Sequence, residues 1–356
     1  MPIRVLVVDD SSLMRRLITR FLEDDGNVKV IDTASDGEEA LKKIISLRPQ
    51  VVTLDVEMPV LDGLTTLGRL MKTNPVPVIM LSAHTTEGAR ATMQALALGA
   101  VDFVAKPTRP GEMAAMVADL KYKIKAAAQA SLRRMPAPAA RPVLQRQAAV
   151  VEKKVDTGTA ALAGKKYDIV VIGSSTGGPA ALQQVIPRLP ENIPVGFVIV
   201  QHIPVGFSGP MAEHLDRKSM VKVKHAENGD KIKPGMVLVS PAGFDLTFRG
   251  RPGSASVNLD PGGAPVPPGG FRPSVDVVMK SAAEVFGSQA MGVLLTGMGR
   301  DGAQGMLAIK QKNGYTVAED QSTCVVFGMP KAAIDIGGAG KVLPLHDIAK
   351  EIVRNV

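Results

Sequence analysis

Two stretches of the chain repeat the same alternation of short apolar runs and amphipathic segments, and this alternation constrains the fold more than any other feature. In the first 120 residues, helical patterns such as Leu13, Leu17 and Phe21 separate five apolar runs rich in Val, Ile and Leu. The runs are Ile3–Val8, Val28–Ile31, Val51–Leu54, Val78–Leu81 and Val101–Val104. Such runs predict buried strands, and strands separated by helices predict an open parallel sheet.

The alternation resumes at Tyr167 and continues through the C-terminal half. Predicted strands are Ile169–Ile172, Gly196–Val200, Met236–Ser240 and Met291–Thr296, and predicted helices are Ala180–Ile186, Ser274–Phe286, Gly302–Lys312 and Leu345–Val353. The Pro/Gly-rich stretch Asp260–Gly270 predicts a loop that follows a hairpin. The fold class is therefore α/β, with two doubly wound parallel-sheet domains, the first flavodoxin-like and the second Rossmann-like.

The segment between the two halves differs in composition, because it is rich in Pro, Ala, Gln and basic residues and contains no aromatic residue. It has too little apolar surface to form a core, which predicts a mobile or semi-extended linker with room for one short helix over Val143–Lys154. The predicted organisation is a first domain over residues 1–124, a linker over 125–166 and a second domain over 167–356.

The formal charge of +8 is concentrated in this middle segment. Residues 1–120 carry −3, residues 121–166 carry +9 and residues 167–356 carry +2. A basic tether is poor evidence for a DNA-reading surface, so nucleic acid is not an expected partner. One cysteine, no signal peptide and no apolar stretch approaching the ~18 residues of a membrane span indicate a cytoplasmic protein without membrane insertion.

Acidic residues follow the first and third predicted strands, which are neighbours in a sheet ordered 2-1-3-4-5. Asp9 and Asp10 come after the first strand, and Asp55 comes after the third. Three carboxylates in one cleft repel each other unless a hard cation lies between them, and octahedral oxygen coordination suits Mg²⁺. Ser82 and Lys106 end the fourth and fifth strands, where a hydroxyl and an ammonium group suit a bound phosphoryl group.

This set of residues resembles the receiver domain of two-component response regulators over roughly the first 120 residues. The resemblance implies that Asp55 accepts a phosphoryl group from a phosphohistidine on a partner kinase, with Mg²⁺ bound by Asp9, Asp10 and Asp55. Ser82 and Lys106 match the supporting hydroxyl and lysine. The aromatic switch position falls on Phe103.

A glycine-rich turn, GSSTGG over residues 173–178, follows the first strand of the second domain and precedes a helix. Such a turn suits either a nucleotide phosphate or a nucleophilic serine on a sharp elbow. The G-x-G-x-x-G and P-loop patterns are absent, which disfavours nucleotide binding. His202 and Asp301 follow later strands at the same predicted edge, and they would supply the base and the orienting carboxylate that Ser175 needs.

GSSTGG, QH, TGMGRDG and CVVFGMP, in this order after a receiver and a linker, resemble the chemotaxis protein-glutamate methylesterase/glutaminase family. The resemblance implies Ser175 as nucleophile, His202 as general base and Asp301 as the residue that orients His202. Thr176 and Met298 match positions that line the active site, and the Met298 amide is expected to donate to an oxyanion. Phe271 departs from the pattern, since relatives can carry a His there.

The family implies hydrolysis of γ-glutamyl methyl esters and deamidation of glutamines on chemoreceptors, with no cofactor for the esterase reaction. Expected partners are methyl-accepting chemoreceptors, a chemotaxis histidine kinase, and the receiver itself through an intramolecular contact with the catalytic domain. Two alternatives stay open, namely a binding module that no longer catalyses and a small-molecule esterase or peptidase under receiver control. A transcription-factor output is weaker, because no unit of helix-turn-helix size is left at the C-terminus.

Overall fold

The structure is a computed structural model that describes residues 1–129, 167–262 and 271–356. The predicted linker beyond residue 129, with its Val143–Lys154 segment, lies outside the described residues, as does the loop over residues 263–270. The described residues form two domains, each built around a parallel sheet with helices packed on it. The fold class predicted from the sequence is confirmed.

Within residues 1–129, five strands alternate with five α-helices. The strands are β1 (Ile3–Val8), β2 (Val28–Ala34), β3 (Val51–Asp55), β4 (Val78–Ser82) and β5 (Asp102–Ala105). The helices are α1 (Ser12–Leu22), α2 (Gly37–Leu47), α3 (Gly63–Thr73), α4 (Thr86–Leu98) and α5 (Met113–Gln129).

The strand order β2-β1-β3-β4-β5 places β1 and β3 side by side, with all neighbours parallel. Every residue of β3 and β4 is buried, as expected for strands covered by helices on both faces. Helix α5 continues to Gln129, so the first five residues of the predicted linker are helical. The reason is that Ile124, Ala126 and Ala127 are buried, and the Ala-rich sequence favours a helix.

The second domain contains nine strands and six α-helices within its described residues. The strands are β6 (Ile169–Ser174), β7 (Gly196–Gln201), β8 (Lys222–His225), β9 (Met236–Val239), β10 (Asp245–Arg249), β11 (Ser256–Asp260), β12 (Ala290–Leu294), β13 (Tyr315–Glu319) and β14 (Lys341–Leu343). The helices are α6 (Gly178–Val185), α7 (Ser208–Lys218), α8 (Val275–Phe286), α9 (Ala303–Gln311), α10 (Met329–Asp335) and α11 (Leu345–Asn355).

Seven of these strands form one parallel sheet in the order β14-β13-β12-β6-β7-β9-β8. The antiparallel hairpin β10–β11 lies outside this sheet. Strand β6 is central, between β12 and β7, so the carboxyl ends of these three strands lie side by side. Ligand sites of open α/β sheets form at such an edge.

The two domains pack against each other in the described residues. Helix α4 of the first domain contacts α6 and α7 of the second, and one cluster of buried apolar residues includes side chains from both. Among the residues that the structure describes, no helix has both the length and the apolar character to cross a membrane.

Candidate active site

Ser175 lies on a tight turn between β6 and α6. Its backbone N–H donates to Thr296 O at 3.0 Å, and its carbonyl accepts from Gly178 N at 2.7 Å. Gly177 has φ +78, and a Cβ there would lie 2.6 Å from Cβ of Val325. A glycine is therefore required both for the backbone conformation and for space, and it lets the chain turn sharply behind the serine.

His202 directly follows β7, and its backbone N–H donates to Ser174 O at 3.1 Å, which places it beside the serine turn. Its Nε2 atom lies 2.8 Å from Asp301 Oδ2, and its side chain is only 3% exposed. Its Nδ1 atom is buried and has no hydrogen-bond partner among the described residues. An ionised carboxylate can only accept, so Nε2 carries the proton and Nδ1 has a lone pair available as a base.

Asp301 precedes α9 in the chain, but its carboxylate contacts the N-terminus of α8. Backbone N–H groups and the helix dipole stabilise a negative charge there. Its Oδ1 atom accepts from Ser274 Oγ at 2.9 Å. Further hydrogen bonds come from the backbone N–H groups of Val275 at 2.7 Å, Asp276 at 2.9 Å and Gly302 at 3.1 Å. Burial favours a higher pKa for Asp301, but the bonds from His202 and the backbone outweigh it, and the pKa lies below its ordinary value.

The imidazole of His202 also stacks on the ring of Phe271. The two ring centroids are 3.9 Å apart with an interplanar angle of 8°. Phe271 cannot exchange a proton, so its effect on His202 is one of contact. Its flat face limits tilting of the imidazole about the bond to Asp301 and excludes water from that side.

The two residues predicted to line the site lie in two different loops, Thr176 after β6 and Met298 after β12. Thr176 is buried, and its carbonyl accepts from Thr296 Oγ1 at 3.0 Å. Met298 is half-buried in the loop between β12 and α9. Among the described residues, the backbone N–H of neither Thr176 nor Met298 donates to a protein acceptor. Amides with this freedom are candidates for binding an oxyanion.

Ser175 and His202 directly follow β6 and β7, and Asp301 lies in the loop between β12 and α9, so the three residues come from the same edge of the sheet. The His202–Asp301 hydrogen bond is formed, whereas no hydrogen bond joins Ser175 Oγ to His202 among the described residues. Serine-to-base bonds in unliganded enzymes are often long and shorten when substrate binds.

A second polar cluster lies at the carboxyl edge of the first sheet. Asp9, Asp10 and Asp55 each offer an oxygen atom, and these oxygens lie within 4.8 Å of one another. Lys106 Nζ lies 2.6 Å from Asp55 Oδ2 and 2.8 Å from Asp9 Oδ2. Burial raises the pKa of Asp55 to about 6, against the opposing effect of Lys106. Closely spaced carboxylate oxygens are the ligands that Mg²⁺ prefers, so these residues fit that ion.

The other two predicted residues of this cluster have partners elsewhere. Ser82 is buried, and its Oγ atom donates to Gly88 O at 3.0 Å rather than to a carboxylate. Phe103 is 1% exposed, and its ring packs on Phe207 of the second domain with centroids 4.6 Å apart. Phe103 therefore lies in the contact between the domains.

This contact includes residues of α4 and α5. Arg90 on α4 forms an exposed ion pair of 3.2 Å with Glu213 on α7. A Cβ at Gly299, next to Met298, would lie 3.8 Å from the hydroxyl of Tyr122 on α5. Tyr122 of the first domain therefore lies near the loop that carries Met298.

Some functional contacts were not predicted from the sequence. Ser274 and the first amides of α8 hold Asp301, and the only local signal is a Ser in front of an apolar helix, typical of a helix cap. The side-chain amide of Gln201 donates to the backbone carbonyls of both Ser175 and His202. Its position one residue before His202 does not by itself indicate such a role.

The fold and the site define a class of protein in which a phosphoryl-accepting receiver is joined to an α/β domain that carries serine, histidine and aspartate at one sheet edge. Comparison with family models agrees, since residues 5–118 match the response regulator receiver domain and residues 170–352 match the CheB methylesterase model. The chain belongs to the CheB methylesterase family.

Two curated relatives match this chain over nearly their whole length. The chain is 47% identical to the protein-glutamate methylesterase/protein-glutamine glutaminase of Symbiobacterium thermophilum, over 100% of this chain and 97% of the relative. It is 49% identical to a protein-glutamate methylesterase/protein-glutamine glutaminase of Carboxydothermus hydrogenoformans, over 99% of each chain. The crystal structure of the Thermotoga maritima CheB methylesterase catalytic domain is 44% identical with a TM-score of 0.51, and the match covers 53% of this chain and 99% of that one.

Proposed function

We propose that this chain hydrolyses γ-glutamyl methyl esters and deamidates glutamines on chemoreceptors, and that phosphorylation of Asp55 activates it. The observation that carries the proposal is the His202–Asp301 hydrogen bond, which leaves His202 Nδ1 without a partner among the described residues. The backbone N–H of His202 donates to Ser174 O, which ties this pair to the serine turn. The match to the CheB methylesterase model and the names of the full-length relatives support the ester and amide specificity.

The proposed reaction is acyl transfer through Ser175. Ser175 Oγ attacks the side-chain carbonyl carbon of the substrate while His202 Nδ1 takes its proton, and Asp301 stabilises the imidazolium that forms. The negative charge on the carbonyl oxygen is placed near the amides of Thr176 and Met298. His202 then returns the proton to the leaving group, which departs as methanol or ammonia. Water, deprotonated by His202, attacks the acyl-serine and releases the glutamate carboxyl group and the free serine.

We assign the receiver cluster to phosphorylation by a chemotaxis histidine kinase, with Mg²⁺ held by Asp9, Asp10 and Asp55. When bound, the ion supplies positive charge that offsets the charge of the phosphoryl oxygens. Lys106, which pairs with Asp55 and Asp9, supplies a second positive charge. The esterase reaction as proposed uses only protein groups, and both reactions belong to a cytoplasmic protein.

The inter-domain contact suggests how phosphorylation acts. In the unphosphorylated state Lys106 pairs with Asp55 and Asp9, and Phe103 in β5, the strand that Lys106 follows, packs on Phe207. A phosphoryl group on Asp55 would draw Lys106 and Ser82 toward it and move β5 with Phe103. We propose that this movement weakens the packing on the second domain and opens the serine site to the receptor.

The catalytic assignment is tested by methanol release from methylated receptor. Ser175→Ala is expected to abolish methanol release and to leave phosphorylation of Asp55 intact, because Ser175 is remote from the receiver cluster in sequence and belongs to the other domain. Phosphorylation serves as the control for folding of the receiver. Continued turnover by Ser175→Ala would refute the assignment of the nucleophile.

The regulatory assignment is tested by swapping charges across the exposed ion pair Arg90–Glu213. Arg90→Glu is expected to raise activity without phosphodonor by about 1.5- to 5-fold, since an exposed pair contributes about 0.2–1 kcal/mol. Glu213→Arg should act alike, and the double variant should return toward the wild-type level. Equal basal activity in all four proteins at low salt would show that this contact does not restrain the enzyme.

A further inference from the structure

The side chain of Gln201 joins the two segments that carry Ser175 and His202. Gln201 is the last residue of β7, is 2% exposed, and lies opposite Ser174 in the parallel pairing of β6 and β7. Its Nε2 atom donates to Ser175 O at 2.9 Å and to His202 O at 2.8 Å. Its Oε1 atom accepts from Ser174 Oγ at 2.6 Å.

The chemistry of these partners determines the orientation of the amide. Two backbone carbonyls can only accept, so they require the NH₂ end, and the hydroxyl of Ser174 is left to donate to the oxygen. The position is also sterically enclosed, because a Cβ on Gly178 would lie 2.1 Å from Gln201 Oε1. In this conformation both hydrogens of the Gln201 amide are donated and its oxygen accepts one hydrogen bond.

The bond to Ser175 O has a further consequence for the next amide. The peptide group between Ser175 and Thr176 is planar, so its carbonyl and its N–H point in opposite directions. The Gln201 amide and the Gly178 N–H, which donates to the same oxygen at 2.7 Å, together fix the carbonyl and thereby direct the Thr176 N–H toward the opposite side. In a nucleophile elbow, the residue after the serine donates this N–H to the oxyanion.

We infer that Gln201 is a positioning residue for acyl transfer, which holds the Ser175–Thr176 peptide in the orientation that binds the oxyanion and keeps Ser175 in register with His202. The inference rests on the proposed function, since it presumes that Ser175 is the nucleophile. Gln201 does not touch the substrate. It acts through the two backbone carbonyls, and a shift of about 1 Å in a reacting group lowers turnover about 10²-fold.

The test compares Gln201→Glu, Gln201→Met and the matched control Ser174→Ala in the full chain with a phosphodonor. Glutamate keeps the shape and the acceptor for Ser174, but its carboxyl has at most one proton and so cannot donate to both carbonyls, and methionine removes both functions at similar volume. Ser174→Ala removes only the hydroxyl and leaves both amide donors of Gln201. Methanol release gives kcat and KM, and titration of Ser175 with a fluorophosphonate gives the number of folded sites, so that kcat is expressed per folded site.

We expect kcat per folded site to fall about 10²-fold in both Gln201 variants, with KM within about threefold of wild type, and to stay within about threefold in Ser174→Ala. A residue that only stabilises the fold would lower the number of titratable sites and the melting temperature while kcat per site stayed unchanged, and that result would overturn the inference. A loss confined to KM, or an equal loss in Ser174→Ala, would also overturn it. Activity in Ser175→Ala would instead refute the proposed function, so the two failures are distinguishable.

Discussion

Glu319 is a buried acid beneath the serine turn, and it makes a quantitative prediction about stability. It ends β13 with no exposed surface, and its Oε2 atom accepts from Thr296 N at 2.8 Å. Thr296 in turn accepts from the backbone N–H of Ser175. Burial raises the pKa of Glu319 from 4.5 to about 7. Replacement by Gln removes the titration while keeping the size of the side chain.

The sign of the effect follows from proton binding in the two states. The unfolded chain releases the proton of Glu319 near pH 4.5, whereas the folded chain holds it until about pH 7. Between these values the folded state binds more protons, so the free energy of unfolding falls as pH rises. The difference between 4.5 and about 7 corresponds to about 3 kcal/mol. The contribution of the protonated Glu319 carboxyl to the free energy of unfolding is complete below about pH 4.5 and is lost by about pH 8.

The assay is urea unfolding of the full chain at pH 5 and pH 8. Pulse proteolysis measures the fraction of folded catalytic domain at each urea concentration, as the amount of the protease-resistant fragment of that domain. Wild type should lose about 2.5 kcal/mol more than Glu319→Gln between the two pH values, since part of the contribution is already lost at pH 5. Glu284→Gln, at an exposed position on α8, is the control and should follow the wild type. Parallel pH profiles for wild type and Glu319→Gln would refute the reasoning that this carboxyl is neutral in the folded protein at low pH.

Three further predictions concern catalysis and activation. Asp301→Asn should lower kcat for methanol release by about 10³- to 10⁴-fold, because the amide cannot hold His202 in the required tautomer, and a loss below tenfold would contradict the role of Asp301. Phe271→Ala should lower kcat by about 2- to 12-fold, the value of one aromatic contact, whereas an unchanged kcat would show that the stacking on His202 has no effect on turnover. Removal of Mg²⁺ with EDTA should abolish stimulation by acetyl phosphate and leave basal methanol release unchanged. Asp55→Asn should have the same two effects. A loss of basal release on metal removal would contradict a metal-free esterase site.

The sequence predicts the parallel strands well where both faces of a strand are buried. β1, β3 and β4 are continuous apolar runs, and their predicted limits differ from the observed ones by at most one residue. β13, with the sequence YTVAE, lies inside the second sheet and was not predicted, because Thr316 and Glu319 interrupt its apolar run. β8, with the sequence KVKH, and β14, with KVL, lie at the edges of this sheet and were not predicted either. An edge strand has one neighbour and polar exposed positions, so its apolar signal is weak.

The candidate site was predictable to the extent that it depends on strand ends. Ser175, His202 and Asp301 follow strands that a parallel sheet brings to one edge, and this is a property of the local pattern. Gln201 donates to the backbone carbonyl of Ser175 in the neighbouring chain segment, and Ser274 donates to the carboxylate of Asp301, which lies far away in the chain. Such contacts depend on register and side-chain direction, which single-sequence patterns do not specify.

The contact between the domains also lies beyond what the pattern can specify. Phe103 was assigned a switch role by resemblance, but its packing on Phe207 depends on how two separate surfaces meet. Both residues have the apolar character of ordinary core positions. Nothing in their local sequence distinguishes a side chain that packs within a domain from one that packs between domains.

The most direct test of the acyl-transfer account is labelling of the full chain by a fluorophosphonate, with the modified residue identified by peptide mass mapping and methanol release measured on the same samples. The account predicts one modified residue, Ser175, and a loss of methanol release in proportion to its modification. Methanol release that persists when Ser175 is fully modified, or inactivation with the label on another residue, would contradict it.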